Sequence, residues 1–227
     1  MIKIGNTSIN PTKIVCLGRN YVDHIKEMNA PFPKEPVFFG KTVNTLITEN
    51  KPIIYPKILY NDEENRRVDY EVELALIISK NCKSVSKQNA YDYILGYSIF
   101  LDMTARNMQV NDRNIKLPWY RSKNFDTFGP IGPNIVSHEE ILDPHNLNIE
   151  LKVNGEIRQS SNTKYLLFKI PYIIEYISQF LTLEAGDIIA TGTPGGVGAI
   201  VPEDKIEASI EKIGTISHLI VLEGTQS

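Results

Sequence analysis

The stretch Val68-Asp-Tyr-Glu-Val-Glu-Leu-Ala-Leu-Ile-Ile-Ser79 determines the fold class and points to the chemistry of this chain. Its Val, Leu and Ile content predicts a β-strand. Residues two apart in a strand share a face, so Asp69, Glu71 and Glu73 are expected on one side. The apolar residues that follow do not alternate, so the strand is expected to enter the core, where neighbouring carboxylates repel and resist desolvation. A bound cation would relieve both effects; a strand with one solvated acidic face is the alternative that this stretch leaves open.

Short strands also dominate the rest of the chain. Strands are predicted at about 13–17, 36–39, 97–101, 147–153 and 188–190, with two or three closing strands between 206 and 222. Helices are predicted at about 22–28, 86–95 and 171–181, the last with Phe180 on its apolar face. Asn154-Gly155 is the strongest short hairpin signal. Strands outnumber helices without regular alternation. The sequence therefore predicts a mainly β fold with a few helices (α+β), a mixed and mainly antiparallel β roll in a single domain over 1–227.

Composition restricts the classes of partner. The 24 Lys and Arg residues against 27 Asp and Glu residues give a net charge of −3, which does not support the basic stripe of a nucleic-acid-binding protein. No apolar stretch approaches the roughly 20 residues that span a bilayer, and the N-terminus lacks the apolar region of a secretory signal. Cys16 and Cys82 are unclustered, which is typical of buried thiols in a reduced compartment. We therefore expect a cytoplasmic protein with no membrane or nucleic-acid partner.

A third carboxylate strengthens the metal hypothesis. Asp102 ends the apolar strand 97–101 and precedes a predicted helical start at 103–106. Three carboxylates without clustered His or Cys favour a hard, octahedral cation such as Mg²⁺ or Mn²⁺. Such an ion would keep three open positions, two of which an α-keto acid can fill with its carboxylate and keto oxygens. Taken singly, Asp102 fits a helix N-cap equally well.

Other segments carry weaker signals. His24 and Glu27 are three apart in a short helical stretch, and a His held by a carboxylate can act as a general base, although such a pair is also common on exposed helices. The Gly-rich segment 191–198 lacks the P-loop and dinucleotide patterns but could cradle a carboxylate with its N–H groups; a plain turn is the alternative. Pro31, Pro33 and Pro36 predict a loop that could act as a lid. Lys41, Arg106 and Lys123 are candidate anion partners, which taken singly are more often surface charges.

Taken together and in order, these segments resemble the fumarylacetoacetate hydrolase superfamily, in particular its small acylpyruvate hydrolases and oxaloacetate decarboxylases. The resemblance runs from about Val15 to Leu222. Its markers are Gly18-Arg-Asn-Tyr-Val-Asp-His24, Asp69-Tyr-Glu-Val-Glu-Leu74, Asp102-Met-Thr-Ala-Arg106 with Gln109, Lys123-Asn-Phe-Asp-Thr-Phe-Gly-Pro130, Val153-Asn-Gly155, and Gly192-Thr-Pro194 with Gly196-Val-Gly198.

The resemblance implies a set of site residues and an assembly. The implied homodimer would bind Mg²⁺ or Mn²⁺ in each site, and the segment that carries the dyad would order over the substrate. The implied roles are metal ligands for Glu71, Glu73 and Asp102, a catalytic dyad for His24 and Glu27, enolate stabilisation for Lys123, and substrate binding for Lys41, Arg106, Gln109 and Thr193.

Two positions depart from the family pattern. Asn107 replaces an aspartate, which removes one possible partner of Arg106 and leaves the orientation of that arginine uncertain. Gly195 stands where many members carry a larger residue, which would alter the loop over the substrate.

The expected reaction is metal-dependent hydrolysis of the C–C bond of a 2,4-diketo acid, of the acylpyruvate or fumarylpyruvate type, to pyruvate and a carboxylic acid. Oxaloacetate decarboxylation and the isomerase, decarboxylase and hydratase reactions of aromatic catabolism use the same enolate chemistry and remain alternatives. A non-enzymatic carboxylate-binding protein is the alternative from another class.

Overall fold

The computed structural model describes residues 1–27 and 31–225. Within these residues the chain forms seventeen β-strands, five α-helices and three 3₁₀ helices. The strands are β1 (Ile2–Ile4), β2 (Thr7–Ile9), β3 (Ile14–Gly18), β4 (Val37–Lys41), β5 (Leu46–Ile47), β6 (Ile53–Tyr55), β7 (Val68–Tyr70), β8 (Val72–Ile78), β9 (Ile94–Leu101), β10 (Thr104–Ala105), β11 (Gly129–Ser137), β12 (Asn148–Val153), β13 (Glu156–Asn162), β14 (Ile188–Ala190), β15 (Gly198–Ile200), β16 (Lys205–Ile210) and β17 (Gly214–Leu222). The α-helices are α1 (Val22–Glu27), α2 (Lys57–Tyr60), α3 (Arg106–Asn114), α4 (Tyr120–Lys123) and α5 (Ile170–Phe180), and the 3₁₀ helices span Val43–Thr45, Lys87–Tyr93 and Thr163–Tyr165.

Two mixed sheets make up most of the fold. The larger has the order β4-β3-β14-β8-β9-β11-β5, and the smaller has the order β13-β12-β16-β17-β6. Three of their pairings are parallel, namely β3 with β14, β5 with β11 and β6 with β17, and the others are antiparallel. A short third sheet, β10-β7-β15, lies beside the site described below. The predicted mainly β class with mixed, mainly antiparallel pairing is confirmed.

Strand β8 lies at the centre of the core. All seven of its residues are buried, which explains the apolar run without alternation. Leu74 and Leu76 belong to the larger core cluster, whereas Ala75 and Ile77 belong to a second cluster on the other side. Fully burying one Leu or Ile side chain contributes roughly 1.5–3 kcal/mol. A strand packed on both faces is therefore a rigid support for the polar residues at its end.

The structure departs from the predicted strand 68–79 at Glu71. The chain leaves β7, which pairs with β10 and β15, and continues as β8, which pairs with β9 and β14. Glu71 lies at the junction and belongs to neither strand. The polar stretch and the apolar stretch thus lie in different sheets.

Three helical predictions were wrong in detail. The predicted helical start at 103–106 is wrong because Thr104–Ala105 forms β10; helix α3 begins at Arg106, and Ala105 occupies its N-cap position, so Asp102 is not a helix cap. The predicted helix 86–95 is the 3₁₀ helix Lys87–Tyr93. Helix α5 starts as predicted, but Phe180 is 57% exposed and does not belong to its buried face.

Other local predictions hold. Asn154 and Gly155 have φ values of 53° and 82° and join β12 to β13 as a hairpin. Helix α1 forms as far as Glu27; the predicted last residue, Met28, and residues 29–30 of the predicted lid lie outside the described residues. In the part of the chain that the structure describes, no helix has both the length and the apolarity needed to cross a bilayer.

Candidate active site

Glu71, Glu73 and Asp102 come together at the end of the β8–β9 pair. Antiparallel pairing sets Glu73 opposite Phe100, and the Asp102 backbone N–H donates to the Glu71 carbonyl at 2.9 Å. One carboxylate oxygen of each residue lies within 4.8 Å of the others, and all three side chains are buried. The structure therefore forms the three-carboxylate cluster that the sequence predicts.

The electrostatics of this cluster fit a divalent cation. Burial, followed by repulsion from Asp102 and Glu71, raises the pKa of Glu73 well above its ordinary value. Burial would also raise the pKa of Glu71, but Lys123 and Arg106 outweigh it and hold that pKa below its usual range. A cation with oxygen ligands would relieve the repulsion on Glu73, and three buried carboxylates are the donor set that Mg²⁺ and Mn²⁺ prefer.

Two lysines contact the carboxylate cluster from one side. Lys123, the last residue of α4, donates to Glu71 Oε2 at 2.8 Å and to Asp102 Oδ2 at 2.6 Å. Burial alone would lower the pKa of Lys123, but the Asp102 and Glu71 carboxylates outweigh it and raise that pKa. Lys123 therefore stays protonated and acts as a fixed positive charge.

Lys41 is buried beside the carboxylate cluster. Its Nζ lies 2.9 Å from Asp102 Oδ1, an ion pair without hydrogen-bond geometry, and donates to the backbone carbonyls of Met103, at 3.2 Å, and of Lys123. Two of its three N–H donors are thus used on carbonyls, and its substrate-binding role stays a prediction. Lys41 does not line the cavity described below, so its contacts hold Asp102 and Lys123 in place.

Arg106, the first residue of α3, connects the carboxylates to the helix. Its Nε donates to Asp69 Oδ2 at 2.8 Å, one Nη to Gln109 Oε1 at 2.7 Å, and the other to Glu71. Asp69 also accepts from Arg67 at 2.7 Å, so its carboxylate is paired with two arginines. Asn107 donates to the Glu64 carbonyl at 2.7 Å. The orientation of Arg106 is therefore set without the aspartate that Asn107 replaces.

The predicted His24–Glu27 pair forms on α1. His24 Nδ1 and Glu27 Oε2 are 3.5 Å apart, a long contact, with His24 only 8% exposed. The backbone N–H of Gly196 donates to the same Glu27 oxygen at 3.1 Å. Glu27 is thus held between the imidazole and the Gly-rich loop.

The Gly-rich loop binds carboxylates of the protein itself. In addition to the Gly196 contact, the Gly192 N–H donates to Glu73 Oε2 at 2.7 Å. At Gly196, where φ is +89°, a Cβ atom would lie 2.2 Å from the Arg158 carbonyl oxygen, so only glycine fits. The loop connects the carboxylate cluster to the His24–Glu27 pair.

Two buried amides that anchor this region were missed from the sequence. Gln159 accepts from the Val72 N–H at 3.1 Å and donates to Thr193 Oγ1 at 2.8 Å and to the Pro194 carbonyl at 2.9 Å. Asn20 donates to the Thr191 carbonyl at 2.8 Å. Asn20 lies inside the motif Gly18–His24, whereas no residue pattern around Gln159 distinguishes it from an exposed strand residue. Thr193, a predicted substrate contact, uses its hydroxyl to accept from Gln159.

A cavity of about 380 Å³ brings the predicted residues together. Those lining it are His24, Glu27, Glu71, Arg106, Gln109 and Lys123, together with further cations and apolar side chains discussed below. Thr193, Glu73 and Asp102 do not line the cavity, although Glu73 and Asp102 share the carboxylate cluster with Glu71.

Comparison with known proteins identifies the family. Residues 13–221 match the family model described as fumarylacetoacetate (FAA) hydrolase C-terminal. The chain therefore belongs to the fumarylacetoacetate hydrolase family, as its motifs predict.

Three relatives show the range of activities in the family. The mitochondrial oxaloacetate tautomerase FAHD1 of Bos taurus is 45% identical over 200 residues, covering 88% of this chain and 87% of its own. A fumarylpyruvate hydrolase from Pseudomonas aeruginosa, solved with Mn²⁺ and pyruvate, superposes with a TM-score of 0.87 at 30% identity. The match covers 96% of this chain and 93% of the hydrolase. A 2-hydroxyhepta-2,4-diene-1,7-dioate isomerase from Mycobacterium marinum superposes with a TM-score of 0.83 at 38% identity. The match covers 96% of this chain and 77% of the isomerase.

Proposed function

We propose that the chain is a Mg²⁺- or Mn²⁺-dependent enzyme that hydrolyses the C–C bond of a 2,4-diketo acid to pyruvate and a carboxylic acid. The observation that carries the proposal is one cavity lined by both the His24–Glu27 pair and Lys123, with Lys123 bonded to two of the three buried carboxylates. The His24–Glu27 pair can activate water, and Lys123 can stabilise an enolate. The fumarylpyruvate hydrolase with Mn²⁺ and pyruvate supports this choice.

Donors without a partner in the described residues support a position for the keto-acid end. Arg106 has five N–H donors and uses three on Asp69, Glu71 and Gln109, so two remain for a carboxylate. Gln109 gives its oxygen to Arg106, which leaves its amide hydrogens for a substrate oxygen. Lys123 uses two of its three hydrogens and keeps one. We infer that these donors bind the 1-carboxylate and the 2-keto oxygen.

The dyad provides the base. His24, oriented by Glu27, takes a proton from water, and the resulting hydroxide attacks the C4 carbonyl. The C3–C4 bond then breaks, its electron pair forms the enolate of pyruvate beside Lys123, and protonation at C3 releases pyruvate and the carboxylic acid. A cation held by Glu71, Glu73 and Asp102 would supply Lewis-acid stabilisation of the same developing charge.

Enolisation or decarboxylation of oxaloacetate is the second candidate. It uses the same donors but needs no attacking water, and the 45% identity to an oxaloacetate tautomerase favours it. Because one similar structure is an isomerase, the isomerase, decarboxylase and hydratase reactions of aromatic catabolism are a further alternative. A non-enzymatic carboxylate binder would have no need of the His24–Glu27 pair. The homodimer stays a prediction.

The deciding experiment measures pyruvate release from acetylpyruvate, fumarylpyruvate and oxaloacetate, with Mg²⁺ and with a chelator. Metal-dependent pyruvate from the two diketo acids supports the hydrolase. Release from oxaloacetate alone assigns a decarboxylase, and keto–enol interconversion of oxaloacetate without release assigns a tautomerase. No reaction with any of the three overturns the proposal.

Glu73→Gln tests the metal ligands. The variant should lose both turnover and the stabilisation that Mg²⁺ or Mn²⁺ gives the wild type, because it removes one of three anionic ligands. The exposed Glu139→Gln is the matched control. Normal turnover in Glu73→Gln would exclude the ligand role.

His24→Ala tests the base. Hydrolysis should fall by roughly 10²–10⁴-fold while metal and keto-acid binding persist. His138→Ala, a histidine with no assigned role, is the matched control. Retained hydrolysis in His24→Ala would assign the base elsewhere.

A further inference from the structure

The cavity is cationic in an acidic protein. Five cationic side chains line it, against three carboxylates, although the chain has a net charge of −3. The cations are Arg19, Arg67, Arg106, Arg113 and Lys123, and the carboxylates are Glu27, Asp69 and Glu71. A cleft lined by an excess of one sign of charge concentrates ligands of the other sign. The wall of the cavity therefore favours anionic ligands.

The excess charge lies on two arginines away from the carboxylate cluster. Arg67, Arg106 and Lys123 are each within 2.8 Å of a carboxylate oxygen of Asp69 or Glu71. Across residues 1–27 and 31–225, Arg19 and Arg113 form no salt bridge with any carboxylate. Their guanidinium groups are available to a ligand.

Helix α3 sets the distance between the two anionic ends of such a ligand. Arg106, Gln109, Val110 and Arg113 all line the cavity and have the i, i+3, i+4, i+7 spacing of one helix face. Seven residues of α-helix rise about 10 Å. Arg106 is at the inner end, bonded to Glu71, so Arg113 belongs to the outer end.

The backbone of Arg19 has an unusual conformation. Its φ of 58° is left-handed, a conformation that costs a non-glycine residue roughly 1 kcal/mol or more and that concentrates at functional sites. The next residue, Asn20, is fully buried and bonded to the Thr191 and Phe168 carbonyls. The fold thus maintains a strained arginine at the cavity wall, while the cavity-lining Phe39 and Trp119 offer apolar surface for a carbon chain.

We propose that Arg19 and Arg113 form a second carboxylate subsite, which selects dicarboxylic keto acids over monocarboxylic ones. The inference rests on the proposed function for the inner end, where Arg106, Gln109 and Lys123 bind the keto acid. The distal carboxylate of the substrate binds Arg19 and Arg113, and its carbon chain lies along the apolar wall.

The experiment compares two unreactive probes of equal chain length, 2-oxoheptanedioate and 2-oxoheptanoate, which differ by a terminal carboxylate and whose seven carbons can span the two ends. Calorimetry with Mn²⁺ present should show 2-oxoheptanedioate binding about tenfold more tightly to the wild type, the effect of one partly exposed charge-assisted contact. Arg113→Gln and Arg19→Gln should each reduce this preference several-fold and leave 2-oxoheptanoate affinity within about twofold. Lys116→Gln removes one exposed positive charge that is not in the cavity wall and should retain the preference.

The outcomes separate this inference from the proposed function. A wild-type preference near unity, or a preference that both arginine variants retain, overturns the subsite even if diketo acids are hydrolysed. A preference that both variants lose supports the subsite even if no hydrolysis is detected in the substrate panel.

Discussion

Replacement of Gln159 by Met tests whether one buried amide couples the metal-ligand strand to the Gly-rich loop. The side chain is fully buried, and its three hydrogen bonds join Val72, Thr193 and Pro194. Val72 lies between Glu71 and Glu73, and the loop bonds to Glu73 through Gly192. Met has nearly the same length and volume, so the change removes hydrogen bonds without opening a large cavity.

The expected loss of stability follows from these bonds. Each contributes about 1 kcal/mol net, and a buried group left without a partner costs about 1–3 kcal/mol. The variant leaves the Val72 N–H and the Pro194 carbonyl without this partner, so the free energy of unfolding should fall by about 3–5 kcal/mol. For a chain of this size that corresponds to a melting temperature lower by roughly 10 °C.

The assay combines denaturant unfolding, thermal melting and Mn²⁺ titration. Because partners that orient metal ligands typically change metal affinity by about 10–100-fold, Gln159→Met should bind Mn²⁺ at least about tenfold more weakly. Gln179→Met, an exposed glutamine on α5, is the control and should stay within about 0.5 kcal/mol of the wild type. Stability of Gln159→Met within that same margin would refute the hydrogen-bond argument. Lost stability with unchanged Mn²⁺ affinity would refute the coupling.

Two further predictions follow from buried cations and histidines. Lys41→Met should lower kcat strongly, change KM by no more than about twofold and reduce stability by about 3 kcal/mol, because Lys41 contacts Asp102 and Lys123 and does not line the cavity. A raised KM with unchanged kcat would instead support the predicted substrate-binding role. Burial lowers the pKa values of His145 and His218 below the unfolded value of about 6.5, so the unfolded chain takes up protons first as pH falls. The two histidines should therefore contribute their stabilisation fully above about pH 6.5 and lose it as the pH falls below that value. Denaturant titrations should show that the difference in free energy of unfolding between the wild type and His145→Gln changes below about pH 6.5; a difference that does not vary with pH would contradict the assignment.

The proximity of the three carboxylates was predictable because it depends on local rules. The period of two in a strand relates Glu71 to Glu73, and the end of an apolar strand places Asp102 near a rigid edge. The switch of sheets at Glu71 was not predictable, because it depends on hydrogen bonds with β10 and β15, which lie far away in sequence. The three acidic residues of the segment therefore divide into two cluster members and one arginine partner, Asp69.

The missed residues share a physical reason. Gln159 and Asn20 act through hydrogen bonds to backbone groups of distant segments, and no residue type or spacing records a backbone partner. Lys41 was predicted as part of the site, but its depth depends on how β4 packs beside α4. The sequence identifies which side chains come together more readily than it identifies which of them line the cavity.

The charges around the carboxylate cluster offset one another within the protein. Four buried carboxylates are matched by four cations, so the formal charge of the network is zero; the carboxylates are Asp69, Glu71, Glu73 and Asp102, and the cations are Lys41, Arg67, Arg106 and Lys123. Like charges within 4.8 Å of each other repel by at least roughly 3–4 kcal/mol at an effective dielectric constant of about 20, which the cations offset. A divalent ion then adds two positive charges to a neutral, buried network. An anionic keto acid neutralises that excess, so ion and substrate favour each other's binding, and a second carboxylate on the substrate strengthens the effect.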